Sequence, residues 1–165
     1  MSQASSISRM LVEHLQGVYL APAWHGPSLR GSLKGLKAAV AFKCSTGAGH
    51  SIADIVLHCA YWKYAVRRKF ESLERGAFPF SGSNWFQLKV TSNEKEWSHI
   101  LQVLDEQHAL LVQAIERFAP AQWHRKAPGS RYSYQQLVLG IAAHDVFHAG
   151  QIRMLKPKRK SMNVD

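Results

Sequence analysis

The stretch Ala142-Ala143-His144-Asp145-Val146-Phe147-His148-Ala149-Gly150-Gln151-Ile152 decides how this chain is read. His144 and His148 stand four residues apart. On a helix they share a face, with Cβ atoms roughly 5–6 Å apart. Two imidazoles so placed can converge on one metal ion, at about 2.0–2.1 Å per bond if the metal is zinc. The pair also lies on the apolar stripe of its helix. Leu137, Ile141, His144, His148, Ile152 and Leu155 recur at three- and four-residue steps. Imidazoles on a core face need partners, because an unpaired buried polar group costs on the order of 1–3 kcal/mol. The pair alone does not establish a metal site. Nine histidines in 165 residues make about half an i, i+4 pair expected by chance. No Glu follows His144 to act as general base, as it would in HExxH. Core histidines bonded to a hydroxyl or a backbone group are the default for such a pair.

A third histidine changes the weighing. Ser51-Ile52-Ala53-Asp54-Ile55-Val56-Leu57-His58-Cys59-Ala60-Tyr61-Trp62 opens another amphipathic helix. Ser51 and Asp54 fit an N-cap followed by an acid at N3, a variant of the capping box. His58 lies about two turns in, on a face shared with Ile55 and Trp62. If the two helices pack side by side, His58 can meet His144 and His148 across a bundle interior, where helix bundles commonly build metal sites. Three neutral imidazoles without a fourth protein ligand leave a coordination position open, the pattern of a catalytic rather than a closed structural site. Cys59 follows His58 but points about 100° away on a helix, and reads as a small core residue.

Composition sets the frame. The length of 165 residues suits one domain with a core of its own. Apolar content of 46% is ordinary for a globular protein. No apolar run approaches the ~20 residues of a membrane span, and Met1-Ser2-Gln3-Ala4-Ser5-Ser6 has no secretory character. Two cysteines, Cys44 and Cys59, are too few for a disulfide framework. A cytoplasmic protein is expected. Net charge is +10 with His neutral, and such an excess favours polyanions. Much of it is dispersed, in Arg67-Arg68-Lys69 and Arg125-Lys126, and the rest closes the chain as Lys156-Pro157-Lys158-Arg159-Lys160. Pro157 should stop the last helix, leaving residues 157–165 as a basic, solvated tail beyond a domain of residues 1–156. No helix-turn-helix, zinc-finger or RNA-binding signature accompanies the tail, so specific nucleic-acid binding is not expected.

The pattern predicts an all-α chain with four long helices, at about Ser5–Leu20, Ser51–Arg75, Asn93–Phe118 and Ser133–Lys156, and a short one within Ser28–Leu36. Phe86-Gln87-Leu88-Lys89-Val90 is the nearest approach to a strand, and it has no partner. The connector from Gly76 to Ser92 is long for a bundle and holds Phe78, Phe80, Trp85 and Phe86. It reads equally as a wall over a pocket or as an apolar plug at one end. A second connector, Ala119 to Tyr132, holds Trp123, His124 and Tyr132 and reads as a packed crossover.

These residues together resemble the DinB/YfiT-like superfamily, whose members are four-helix bundles described as metalloenzymes. Trp24-His25-Gly26-Pro27-Ser28-Leu29 is similar to that family's connector after the first helix. Gly49-His50-Ser51-Ile52 followed by Leu57-His58 is similar to the start of its second helix, and His144 to Ile152 to its closing motif, H-D-x-x-H-A-G-Q-I. The resemblance runs from about Ser5 to Leu155. It implies an up-down-down-up helix order and a metal centre of His58, His144 and His148. It implies zinc or nickel as the divalent ion, between which imidazole ligands do not choose. Some members of the superfamily use low-molecular-weight thiols as S-transferases or isomerases, and many pair as homodimers. The family name refers to DNA damage, which does not imply DNA binding.

The leading expectation is thus a metal-dependent enzyme that activates a thiol or a water against a small-molecule substrate, with S-transfer and hydrolysis both open. A non-catalytic metal-binding bundle or sensor is the alternative, and a basic nucleic-acid-binding protein the third. No catalytic residue beyond the ligands is assigned. Possible supporting or pocket residues are His25, Asp54, Trp62 and Gln151. Asp54, four residues before His58, could orient that imidazole or only cap its helix. His50 reads as local to the helix start, and Asp145 as facing the helix exterior. His14, His99, His108 and His124 read as structural or exposed.

Overall fold

The computed structural model describes residues 6–20, 23–24, 26–44, 49–72, 78–82, 84–86, 88 and 93–157. Among these, the chain is all-helical. The helices are α1 (Ser6–Tyr19), α2 (Leu29–Leu33), α3 (Ala38–Ala41), α4 (Ile52–Glu71), α5 (Glu94–Glu116) and α6 (Tyr134–Leu155), with a 3-10 turn at Pro120–Gln122. No strand is formed among the described residues, and of the run from Phe86 to Val90 only Phe86 and Leu88 are among them.

Local chemistry places the long helices. Ser51 Oγ accepts from the Asp54 amide, and Asp54 Oδ2 accepts from the Ser51 amide at 2.8 Å, closing a capping box at the start of α4. Ser133 and Gln136 form the same device at α6, and Asn93 caps α5. At its far end α4 stops on Ser72, at φ +51, a left-handed residue that cannot continue the helix. Pro157 follows the last residue of α6 by two positions, as predicted.

Packing then closes the core. α1 packs against α5 and α6, and α4 packs against the same two, while α2 lies on α6. One apolar cluster joins α2, α3, the first halves of α4 and α5, and Phe78 and Phe86 of the long connector. A second joins α1, the later part of α5, the first half of α6, and Trp123. Trp123 is fully buried and its Nε1 donates to Ser8 Oγ at 3.2 Å. The second connector is therefore a packed crossover, although His124 and Tyr132 within it are exposed. Burying side chains such as Leu11, Leu15, Leu104 and Leu111 contributes about 1.5–3 kcal/mol each.

One ion pair is fully enclosed. Lys63 of α4 donates to Asp145 Oδ2 of α6, and neither side chain is exposed. Asp145 was expected on the helix exterior, and the structure corrects this. At that turn α6 is covered by α4 on the side next to the histidine face, so a residue 100° from His144 still faces protein. The Lys63 ammonium also lies 4.9 Å from the centre of the Tyr19 ring.

Candidate metal centre

Three imidazoles meet between α4 and α6. Nε2 of His58 lies 3.1 Å from Nε2 of His144, and Nε2 of His148 lies 3.1 Å from the same atom. His58 and His148 are buried and His144 is half-buried. Helix geometry explains the meeting. The four-residue step puts His144 and His148 on the face of α6 that packs on α4, and the capping box at Ser51 starts α4 so that His58 arrives opposite them.

The outer partners of two rings determine where their protons sit. His58 Nδ1 lies 3.0 Å from the backbone oxygen of Asn84, and His148 Nδ1 lies 2.7 Å from Gln151 Oε1. Both oxygens accept, so both Nδ1 atoms carry the proton and both Nε2 atoms turn a lone pair inward. Those lone pairs face the single Nε2 of His144, whose Nδ1 is buried without a hydrogen-bond partner. One ring proton cannot serve two acceptors and also satisfy Nδ1. Hydrogen bonding alone leaves three inward Nε2 atoms sharing at most one proton, whereas one cation between them takes all three lone pairs and leaves only the His144 Nδ1 proton without a partner. Two nitrogens bound tetrahedrally to one zinc ion stand roughly 3.3–3.4 Å apart, close to the spacing found. The residues present fit a divalent ion.

Electrostatics keep the rings ready to bind. Burial, reinforced by the nearness of His148, His58 and the Lys63 ammonium, which all disfavour a second positive charge, pushes His144 down to about 3. Burial brings His148 to about 4 against the opposing Gln151 bond. His58 is lowered by burial, opposed by the Asn84 bond and reinforced by His50. All three are neutral, the form that ligates.

The pocket beside the centre is wider than the histidine triad suggests. A cavity of about 600 Å³ is bounded by His50, Ile55, Trp85, Phe147, Met154 and Leu155 along with the three histidines and Gln151. Trp85 stacks on His58 at 4.0 Å between ring centres, and His50 stacks on Trp85 at 3.7 Å. His50 thus belongs to the pocket wall rather than only to the helix start. Trp62 meets the edge of His58 at 6.3 Å between ring centres, and its Nε1 donates to Asn84 Oδ1 at 2.8 Å. The Asp54 carboxylate does not serve as the partner of the His58 ring. It is taken up by Ser51, and the partner at His58 is the Asn84 carbonyl instead. His25 lies outside the described residues.

Cys59 is fully buried, with its sulfur within 4.8 Å of a His144 nitrogen and an Asp145 oxygen. Burial pushes its thiol well up, with Asp145 reinforcing this and Lys63 opposing it, so it stays protonated as a core group. Asn84 and Lys63 are the neighbours that sequence reasoning missed, whereas Trp85 belongs to the connector read as a wall or a plug and here forms part of the pocket wall. Asn, which tolerates a left-handed backbone in turns, was the available signal for Asn84.

The sequence model of the DinB superfamily matches residues 24–152 of this chain. The chain belongs to the DinB superfamily. A search of curated proteins and of solved structures returned no significant match. In this DinB chain the matched span contains all three histidines together with Asn84, Trp85 and Gln151. No helix among the described residues is long and apolar enough to cross a membrane.

Proposed function

We propose that this DinB chain is a metal-dependent enzyme in which His58, His144 and His148 hold one divalent ion, zinc or nickel, beside a small-molecule pocket. The observation that carries the reading is the pair of 3.1 Å separations between the Nε2 atoms, with ring protons directed outward at Asn84 and Gln151. An ion held there supplies Lewis acidity, which makes a thiol or a water in the pocket nucleophilic near neutral pH. The chain's own residues do the rest. Asn84 and Gln151 hold two ring tautomers. Trp85, Phe147 and Met154 present apolar surface that can receive the apolar part of a substrate, with Phe147 and Met154 62% and 88% exposed at its rim. No carboxylate lines the pocket among the described residues. A thiol, which ionises far more readily than water, needs less help from such a base. Thiol S-transfer, with a low-molecular-weight thiol as co-substrate, is therefore favoured over hydrolysis.

A non-catalytic metal-binding module is the second reading, and the open cavity of about 600 Å³ beside the histidines argues for the enzyme. Metal content by elemental mass spectrometry tests the centre. About one equivalent of zinc or nickel per chain, lost in His58→Ala/His144→Ala, is the expected result. No metal in the native chain after reconstitution would overturn it. A screen of thiols against electrophiles then separates enzyme from module, since only the enzyme turns over.

Cross-helix pairs support the up-down-down-up order. His58 and Phe70 of α4 meet His148 and Tyr134 of α6 in reverse sequence, an antiparallel pair. Tyr19 and Gln16 of α1 meet Asp105 and His108 of α5 in the same reversed sense. Cys44 and Cys59 do not form a disulfide with each other, which suits a reducing compartment and supports a cytoplasmic placement. A homodimer is implied by the family resemblance alone. The basic run from Lys158 onward lies outside the described residues.

A further inference from the structure

A second cavity, of about 870 Å³, opens at the far end of α6. Lys34 and Lys37, from the segment joining α2 to α3, line it on one side, and Arg153 and Lys156, from the end of α6, line it on the other. No acidic residue is among its lining residues. Glu94 of α5 reaches this segment, but its Oε1 accepts from the Ala38 amide at 3.1 Å. The two sides are tied together, because Lys156 Nζ donates to the Lys34 carbonyl at 3.1 Å. Gly35, at φ +75, turns the chain at the cavity, where a side chain would meet nothing within 4 Å.

Completing the charge of a helix C-terminus accounts for cations at the end of α6. It does not account for Lys34 and Lys37, which come from another segment and converge on the same concavity. Lys34, Lys37 and Arg153 bring like charge to one hollow, and an anion seated there relieves their repulsion. The volume falls within the roughly 300–1,000 Å³ of small-molecule sites. The concave shape separates it from the stripes and patches that track a nucleic-acid backbone. The geometry points to a binding site for a small oligophosphate, a molecule carrying two or three linked phosphate groups, held by Lys34, Lys37, Arg153 and Lys156. Arg153 supplies a planar fork for phosphate oxygens and the lysines act as point charges. The site shares no lining residue with the histidine pocket, although Met154 and Leu155 of the same turn face that pocket. Its occupancy does not depend on the metal reading.

Calorimetric titration of the full chain with tripolyphosphate, at physiological salt, tests the inference. The expected result is saturable binding of one equivalent per chain. Lys34→Glu/Arg153→Glu should weaken it by about tenfold or more. Arg9→Glu/Lys95→Glu makes the same change of net charge on exposed residues elsewhere and should bind as the native chain does. If the first variant fails to fold, Lys34→Gln/Arg153→Gln replaces it, with weakening again expected. Absent or unsaturable binding, several equivalents per chain, or equal loss in both charge variants would overturn the proposal. So would preferential binding of a DNA duplex that disappears when residues 158–165 are removed, because the cations would then serve a nucleic-acid tail.

Discussion

The backbone carbonyl of Asn84 accepts the Nδ1 proton of His58 across 3.0 Å, and Asn84 does this from the left-handed region at φ +60. A connector residue with an unusual backbone thereby sets which nitrogen of a helix residue faces the centre. Asn tolerates this conformation far better than β-branched residues do.

That relationship predicts a split between two substitutions. Asn84→Gly keeps both the carbonyl and the positive φ, losing only the bond from Trp62, and should leave metal affinity close to native. Asn84→Val cannot hold the conformation without strain and should weaken metal binding by about 10–100-fold. Competition with a chromophoric chelator measures both. Equal affinity in the two variants would show that the carbonyl does not orient His58.

Gln151 makes the matching prediction for His148. Its Oε1 lies 2.7 Å from Nδ1. Gln151→Leu removes the acceptor at similar size and should also weaken metal binding by about 10–100-fold. Thermal stability of the metal-free protein should change little, because Gln151 is only half-buried. A large fall in melting temperature with unchanged metal affinity would make Gln151 a packing residue.

The buried pair of Lys63 and Asp145 should respond asymmetrically. Lys63→Met leaves the Asp145 carboxylate enclosed without its cation and should destabilise the metal-free chain by about 3–5 kcal/mol. Lys63→Met/Asp145→Leu removes both charges and should recover most of that loss. Urea unfolding of metal-depleted protein gives both values. A single variant as stable as the native chain would show that the carboxylate is already neutral in the fold.

His108 carries a pH prediction. It stacks on Tyr19 at 3.6 Å between ring centres, and its Nε2 lies 3.1 Å from Gln16 Oε1. Burial, reinforced by Lys63, pushes it down from 6.5 to about 3. Above pH 6.5 it is neutral folded and unfolded, and contributes no pH dependence. As pH falls from 6.5 towards 3 the unfolded chain takes up a proton that the folded chain refuses, so stability is lost. The slope from this one ring reaches up to about 1.4 kcal/mol per pH unit. His108→Phe keeps the stacking and should show a shallower loss between pH 6.5 and 4. Parallel slopes for native and variant would show that His108 titrates normally.

Much of the fold could be read along the chain because its determinants are local. Apolar spacing placed all four long helices, and Ser51, Asn93, Ser133 and Pro157 placed their ends to within a few residues. Those signals act over three or four residues and do not depend on what packs against them. The HxxxH spacing likewise put His144 and His148 on one face from helix geometry alone. Bringing His58 to the same point needed the packing of α4 on α6, and the family resemblance supplied that expectation where spacing could not. Other partners were decided only in three dimensions. Asp145 finds Lys63 across 82 residues, and His58 finds Asn84 across 26. Asp54 lay at a spacing suited to orienting His58, yet a nearer hydroxyl and amide at Ser51 claimed its carboxylate. The gathering of Lys34, Lys37, Arg153 and Lys156 around one hollow is of the same kind. Long-range polar partners depend on how two separately specified helices or loops rotate and slide against each other, and periodicity leaves that orientation open until the core is packed.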